Sequence, residues 1–221
     1  MTRRMILPLL FGLVGCAILI GLGSWQMQRL HWKEGVLAEI EARIAAAPVP
    51  LPDHPESPRD RYLPVVAEGR MTGEGLKVLA SRKLVGPGHR LIGVLETGGR
   101  RVLVDLGFVP DGEPLDLPQG PVRVVGNLHW PEEKDSFTPE PNPVTGLWFA
   151  RDVPAMAARL GTEPTLIVAR EPVVPEIAPL PVDTSGIPND HLGYALTWFL
   201  LAVAWAGMTV LFLWRIRRRN A

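Results

Sequence analysis

The sequence predicts a membrane α+β protein in which two transmembrane helices flank a mainly antiparallel β domain carrying one short helix. Three observations predict it. Residues 5–28 run for 24 positions without a charge and residues 192–214 for 23, against the roughly 20 apolar residues that a spanning helix needs. Between them lie 22 of the 23 prolines. The same interval reads as short, β-branched-rich runs separated by glycine and proline turns, the pattern of strands rather than of helices.

The formal net charge of zero is a cancellation. The 162 residues from 29 to 190 hold all 23 acidic side chains and 17 of the 23 basic ones, a net charge of −6. The ends carry +6, from Arg3 and Arg4 in front and Arg215, Arg217, Arg218 and Arg219 behind. No basic stripe falls on the part that folds outside a membrane, so a nucleic-acid-binding domain is disfavoured and the expected non-protein surface is the lipid bilayer.

The first span, 5–28, contains Leu13-Val14-Gly15-Cys16, which reads like a lipoprotein cleavage box behind the positive Thr2-Arg3-Arg4. Apolar residues continue past it as Ala17-Ile18-Leu19-Ile20, where a processed lipoprotein turns polar. Cys16 is therefore expected to be a small membrane-buried residue. Residues 29–60 form an amphipathic extension and a proline-rich linker: Leu30, Val36, Leu37, Ile40 and Ile44 keep helical spacing until Pro48, after which Pro50, Pro52, Pro55 and Pro58 force an extended chain.

Residues 61–190 are the expected β-rich domain, with strands at 62–70, 76–82, 90–96, 101–108, 122–130 and 165–169. The third and fourth are joined by Thr97-Gly98-Gly99-Arg100, whose glycines adopt the positive φ of a tight hairpin. Residues 152–160 form the one predicted helix, with Asp152 as N-cap, Pro154 in the first turn and Gly161 as the stop. A small barrel or mainly antiparallel sheet is the natural architecture, and residues 131–143 read as a long ordered loop. The domain has no cysteine, so an apolar core rather than disulfides holds it together.

The second span, 192–214, is followed by the basic tail 215–221, whose four arginines place that end in the cytoplasm by the positive-inside rule. Two spans put both termini on that side and the central domain across the membrane. Without an Arg-rich, Ser-rich leader, the expected compartment is the periplasm and the expected membrane a bacterial inner membrane.

No Gly-rich phosphate loop, nucleophile elbow or metal-ligand cluster is present, so nothing in the sequence proposes an enzyme. Glu132-Glu133-Lys134-Asp135 reads as a solvated loop rather than an acid/base site. The outer ends of the spans are more informative. The first shows Gly23-Ser24-Trp25-Gln26-x-x-Arg29-x-x-Trp32-Lys33 and the second Asn189-Asp190-His191-Leu192-x-Tyr194-x-x-Thr197-Trp198. An aromatic belt with snorkelling cations accounts for Trp25, Trp32 and Tyr194. On the second helix His191, Ala195, Trp198, Ala202 and Trp205 form one stripe, which either packs the spans together or borders a ligand. Ala17, Gly21 and Ser24 are the expected small-residue face of the first span. An ionisable imidazole at the membrane boundary is a functional candidate, and among flat aromatic walls a candidate haem ligand. His31, at the outer end of span one, is the next.

These two motifs, in this order around a strand-rich segment, resemble the Surfeit locus protein 1 family of cytochrome c oxidase assembly factors, in its bacterial type. The likeness continues through Gly88-His89-Arg90, Val102 to Pro110, Val125-Gly126-Asn127-Leu128, Phe137-Thr138-Pro139, Asn142-Pro143 and Trp148-Phe149-Ala150-Arg151-Asp152, and covers nearly the whole chain. It departs at Asp105-Leu106-Gly107-Phe108, where the family commonly has Asn-Arg-Gly-Trp. The resemblance implies a non-enzymatic factor acting on the largest subunit of cytochrome c oxidase while haem a is supplied by haem a synthase. It also implies that the histidine heading the second span, here His191, ligates haem a. Trp198 and Tyr194 are then the expected aromatic neighbours of the porphyrin, and Arg29 or Lys33 the partner of its propionates. The rival readings are a scaffold for the oxidase subunit that carries no haem, and a membrane-bound periplasmic enzyme.

Overall fold

The computed structural model describes residues 3–113 and 116–219. Thr2, and Asn220 and Ala221 of the basic tail, lie outside the described residues. The chain forms two compact units.

The helical unit comprises residues 3–39 and 184–219. Helix α1 (Arg3–Ala45) runs unbroken through the first apolar run and its amphipathic extension, and α3 (His191–Arg219) carries the second run and the arginines that follow it. Both are long and apolar enough to cross a membrane. They pack antiparallel along a seam repeating every seven residues: Gly12, Cys16, Leu19, Gly23, Gln26 and Leu30 on α1, and His191, Ala195, Trp198, Ala202, Trp205 and Thr209 on α3, all buried or half-buried. Gly12 lies under Thr209, Gly15 under the Trp205 indole and Gly23 under the Phe199 ring. Cys16 Sγ is 3.9 Å from the Ala202 carbonyl oxygen.

The α3 stripe is thus the packing seam. The expected partner face of α1 is not: Ala17, Gly21 and Ser24 are exposed. Large side chains on α3 need glycines opposite them, and the glycines at 12, 15 and 23 sit where Thr209, Trp205 and Phe199 arrive. Gly15→Val should accordingly slow disulfide formation between Cys16 and an Ala202→Cys partner in the membrane. Gly21→Val, at a position where an added Cβ meets nothing within 4 Å, should leave that cross-linking rate unchanged. Equal slowing by both would show that another face is paired.

The sheet unit, Ile40–Asp183, is a closed barrel. Strands β2 (Pro64–Arg82), β3 (Gly86–Thr97), β4 (Arg100–Pro110), β5 (Gln119–Leu128) and β7 (Leu166–Ala169) pair in the ring β2-β3-β4-β7-β5-β2. Two-residue strands β1 (Val49–Pro50) and β6 (Leu147–Trp148) lie alongside β2. Around the ring all pairings are antiparallel except β4 with β7. Closure depends on β2, which joins into one strand what the sequence divides at residues 71–75. Its first half pairs with β5 and its second with β3, and it bulges between Met71 and Gly75 where it passes from one partner to the other. A closed ring leaves no long unpaired edge.

The alternating strand positions fill two apolar layers. Inside the barrel are Val65, Met71, Leu91, Leu95, Val104, Leu106, Val124 and Ile167 among others. Outside it, Val78, Ile92, Leu103, Leu166 and Val168 are covered by Trp148 and by Val153, Met156 and Ala157 of helix α2 (Val153–Leu160). That helix is capped as its sequence predicts: the Asp152 side chain accepts from the Ala155 amide, and Gly161 ends it in the left-handed conformation. The β3–β4 turn has Gly98 at φ +55 and Gly99 at +77, which suits the two glycines. Leu106, where the family pattern has arginine, is fully buried inside the barrel. Here that position belongs to the core.

Candidate functional site at the head of the second membrane helix

His191 is the first residue of α3. Asp190 precedes it and accepts the Tyr194 amide at 3.2 Å, which starts the helix. Side chains at positions 191, 195 and 198 then stack on one face, and the heptad register of the seam brings Gln26 of α1 opposite His191. The His191 Nδ1 lies 2.7 Å from Gln26 Oε1. An amide oxygen only accepts, so Nδ1 carries the proton and donates; in the neutral ring the lone pair is then on Nε2. A hydrogen bond to the non-ligating nitrogen is the usual way a protein fixes tautomer and ring orientation for a metal-binding histidine.

The other residues singled out by the sequence surround this point in different ways. Trp198 is half-buried in the helix seam, two turns from His191, and Tyr194 is 58% exposed one turn away. The Arg29 guanidinium lies over the Trp32 ring, 4.4 Å from its centroid, a cation–π contact that holds it just beyond the apolar run of α1. Trp25 and Trp32 are about half exposed, as belt residues facing lipid headgroups would be. Gln26 stands in the quoted motif with no role assigned to it by sequence. The signal that locates it is the seven-residue spacing Gly12, Cys16, Leu19, Gly23, Gln26, which marks the contact face once the second helix is placed against it. Among the described residues no group of three or more His, Cys, Asp or Glu side chains is placed to hold a metal ion.

A second polar cluster lies in the sheet unit. Asp105 on β4 is fully buried and accepts from Arg90 on β3, from Arg151 Nη1 at 3.0 Å and from the Gly107 amide at 3.2 Å. Arg151 also binds Glu133 through its side chain, and its own amide donates to Glu133 at 2.9 Å. Burial pushes the Glu133 carboxyl up, but the Arg151 bonds outweigh it and hold the group below the usual carboxylate range. Glu133 stays exposed with Glu132 and Asp135, as a solvated loop predicts, and its bonds to Arg151 in addition fasten the loop to the barrel. The cluster neutralises itself and acts as a clamp.

Beside it, His129 stacks on Tyr62 with ring centroids 5.4 Å apart. Burial first, and then the Arg151 and Arg61 charges, push its pKa down to about 4. In an unfolded chain the same imidazole titrates near 6.5. Between those values only the unfolded state binds the proton, so the barrel should lose stability as pH falls from about 6.5 toward about 4 and keep this contribution intact above that window. Thermal unfolding across the range should show a shallower loss in His129→Gln than in the native protein. Parallel curves would assign the acid sensitivity to other groups.

Comparison with known proteins agrees with this architecture. The SURF1 family matches residues 13–203, from within α1 into α3. The chain is 33% identical over 213 residues to "Surfeit locus protein 1" of Rattus norvegicus, covering 85% of this chain and 70% of that protein. It is 31% identical over 210 residues to the protein of that name in Homo sapiens, covering 83% and 70%. With a "SURF1-like protein" of Drosophila melanogaster it shares 29% over 216 residues, covering 85% and 71%. A likeness that spans both membrane helices and the barrel between them establishes that this chain belongs to the SURF1 family.

Proposed function

We propose that this protein is an assembly factor for a haem-a-containing cytochrome c oxidase, holding haem a at the outer end of α3 until the largest oxidase subunit takes it. Membership of the SURF1 family supports the oxidase assignment. The hydrogen bond between His191 Nδ1 and Gln26 carries the haem assignment, because it leaves Nε2 unprotonated to bind a metal. Bound haem a would supply an iron for that nitrogen to hold. Gln26 orients the ring, Tyr194 and Trp198 offer apolar faces on the same side of the helix, and Arg29 and Lys33 supply positive charge for propionates. The positive-inside rule applied to the arginines after Trp214 supports cytoplasmic termini and a periplasmic barrel, with the site facing the periplasm. In this reading the protein makes and breaks coordination and hydrogen bonds only, and is not an enzyme.

The test is purification of the full chain from cells that make haem a, followed by optical spectroscopy. The expected result is bound haem a with the spectrum of an imidazole-ligated iron. Absence of haem, with oxidase maturation still dependent on the protein, would replace the carrier reading with that of a scaffold for the oxidase subunit.

A further inference from the structure

The β2–β3 hairpin ends in Arg82-Lys83-Leu84-Val85, a turn that sets exposed apolar side chains beside exposed cations. Leu84 is 99% exposed, Val85 51% and Leu79 47%. The turn is braced by the Val85 amide on the Arg82 carbonyl at 3.0 Å and by the Ser81 hydroxyl on the Gly86 carbonyl at 3.3 Å. Leu84 sits at φ +68, a left-handed conformation that suits glycine and is unfavourable for a branched side chain. The turn thus holds a large apolar group fully in the open, at a cost both in backbone conformation and in exposed surface.

The charge around it is equally distinct. In a segment of net charge −6, no acidic residue occurs between Glu74 and Glu96, while Lys77, Arg82, Lys83 and Arg90 do. Arg90 is bound to Asp105, but the exposed Arg82 and Lys83 side chains form no ion pair among the described residues. Apolar side chains at a tip flanked by unpaired cations fit the headgroup boundary of an anionic bilayer, where the cations meet lipid phosphates and the apolar groups meet acyl chains. The exposed Phe137 differs: its loop, 131–145, carries a net charge of −3 and would be repelled. Chain connectivity permits the contact. Arg90, on β3 of the same hairpin, donates to the Leu180 carbonyl at 3.4 Å. Only ten residues separate Leu180 from His191 at the start of α3, a reach of at most about 40 Å.

We infer that the Arg82–Val85 tip is a second, peripheral membrane contact, which rests the barrel on anionic lipid. The assignment is independent of the haem reading.

The experiment uses the full chain in nanodiscs, with Cys16→Ala removing the native thiol and an environment-sensitive fluorophore attached at Leu84→Cys. In discs containing phosphatidylglycerol the emission should shift to the blue, be quenched by lipid carrying a nitroxide near the headgroup, and resist aqueous iodide. A label at Phe137→Cys should stay open to iodide. Arg82→Glu with Lys83→Glu should lower the inserted population by at least about thirtyfold, since each cation near an anionic surface contributes about one kcal/mol. A Leu84 label that iodide quenches as freely as the Phe137 label would overturn the contact and leave the tip as a surface for a protein partner. Protection that is equal in phosphatidylcholine discs and survives charge reversal would overturn the anionic-lipid assignment.

Discussion

His191→Ala should abolish haem a binding while leaving the amount of membrane-inserted protein nearly unchanged. The two consequences separate because they draw on different parts of α3. Insertion depends on the apolar run and packing on the glycine contacts with Phe199, Trp205 and Thr209, all of which the substitution leaves in place. In the proposed site ligation would depend on one nitrogen. The informative companion is Gln26→Ala, which keeps the ligand but frees its ring to rotate and exchange tautomers. Loss of an orienting partner of this kind weakens metal binding by about 10- to 100-fold, so haem should remain detectable at high concentration with altered absorption. Trp198→Ala should have a smaller effect, since it removes a neighbouring apolar face and leaves both the ligand and its support. Full haem content and an unchanged spectrum in His191→Ala would move the ligand to His31, which is exposed on α1. An unchanged spectrum in Gln26→Ala, with haem lost from His191→Ala, would confirm the ligand and reject its support.

Asp105→Ala should be the most damaging single change in the barrel, costing about 3–5 kcal/mol of its stability. Asp105 is fully buried, and the guanidinium groups of Arg90 and Arg151 that it pairs with are only 17% and 11% exposed. Removing the carboxylate takes a counter-charge from two arginines in a region with little water and leaves Arg90 with none, a penalty that exceeds what the ion pairs contribute net. Arg151 keeps Glu133 as a partner, whereas the Arg90 side chain, among the described residues, retains only the Leu180 carbonyl at 3.4 Å. Arg90→Met in the Asp105→Ala background should therefore recover part of the loss. The check is chemical denaturation of the full chain in detergent, followed by tryptophan fluorescence. A cost below about 1 kcal/mol, the range of exposed pairs, would mean that water reaches the cluster.

How much was legible in the sequence depends on the range of the interactions involved. Asp152, Pro154 and Gly161 act within the helix they bound, and Gly98 and Gly99 within one turn, so their roles follow from residue chemistry and hold in the structure. Residues 71–75, with Gly73 and Gly75, look like a break between strands. They are a bulge within one, because β2 is held on both sides there by β3 and β5. Glu133 reads as solvent-facing and is exposed, but that Arg151, 18 positions later, folds onto it is visible only in the structure. At the candidate site, His191 stands out as an ionisable group beside an apolar run. Gln26 does not, because a polar residue at the end of a span is ordinary until something pairs with it.

The sequence by itself determined the two spans, the strand-rich domain between them, its tight hairpin and its capped helix, since each follows from uninterrupted apolarity, a period of two, or local dihedral preference. Tertiary structure alone decided that the strands close into a ring, that Leu106 fills its interior while Asp105 binds two arginines, and which face of α1 meets α3. A membrane helix is apolar on every side, so no amphipathic stripe marks its contact face as one does in water. The choice fell to shape, with glycines 12, 15 and 23 beneath the bulky side chains of α3, and that same fit sets Gln26 against His191.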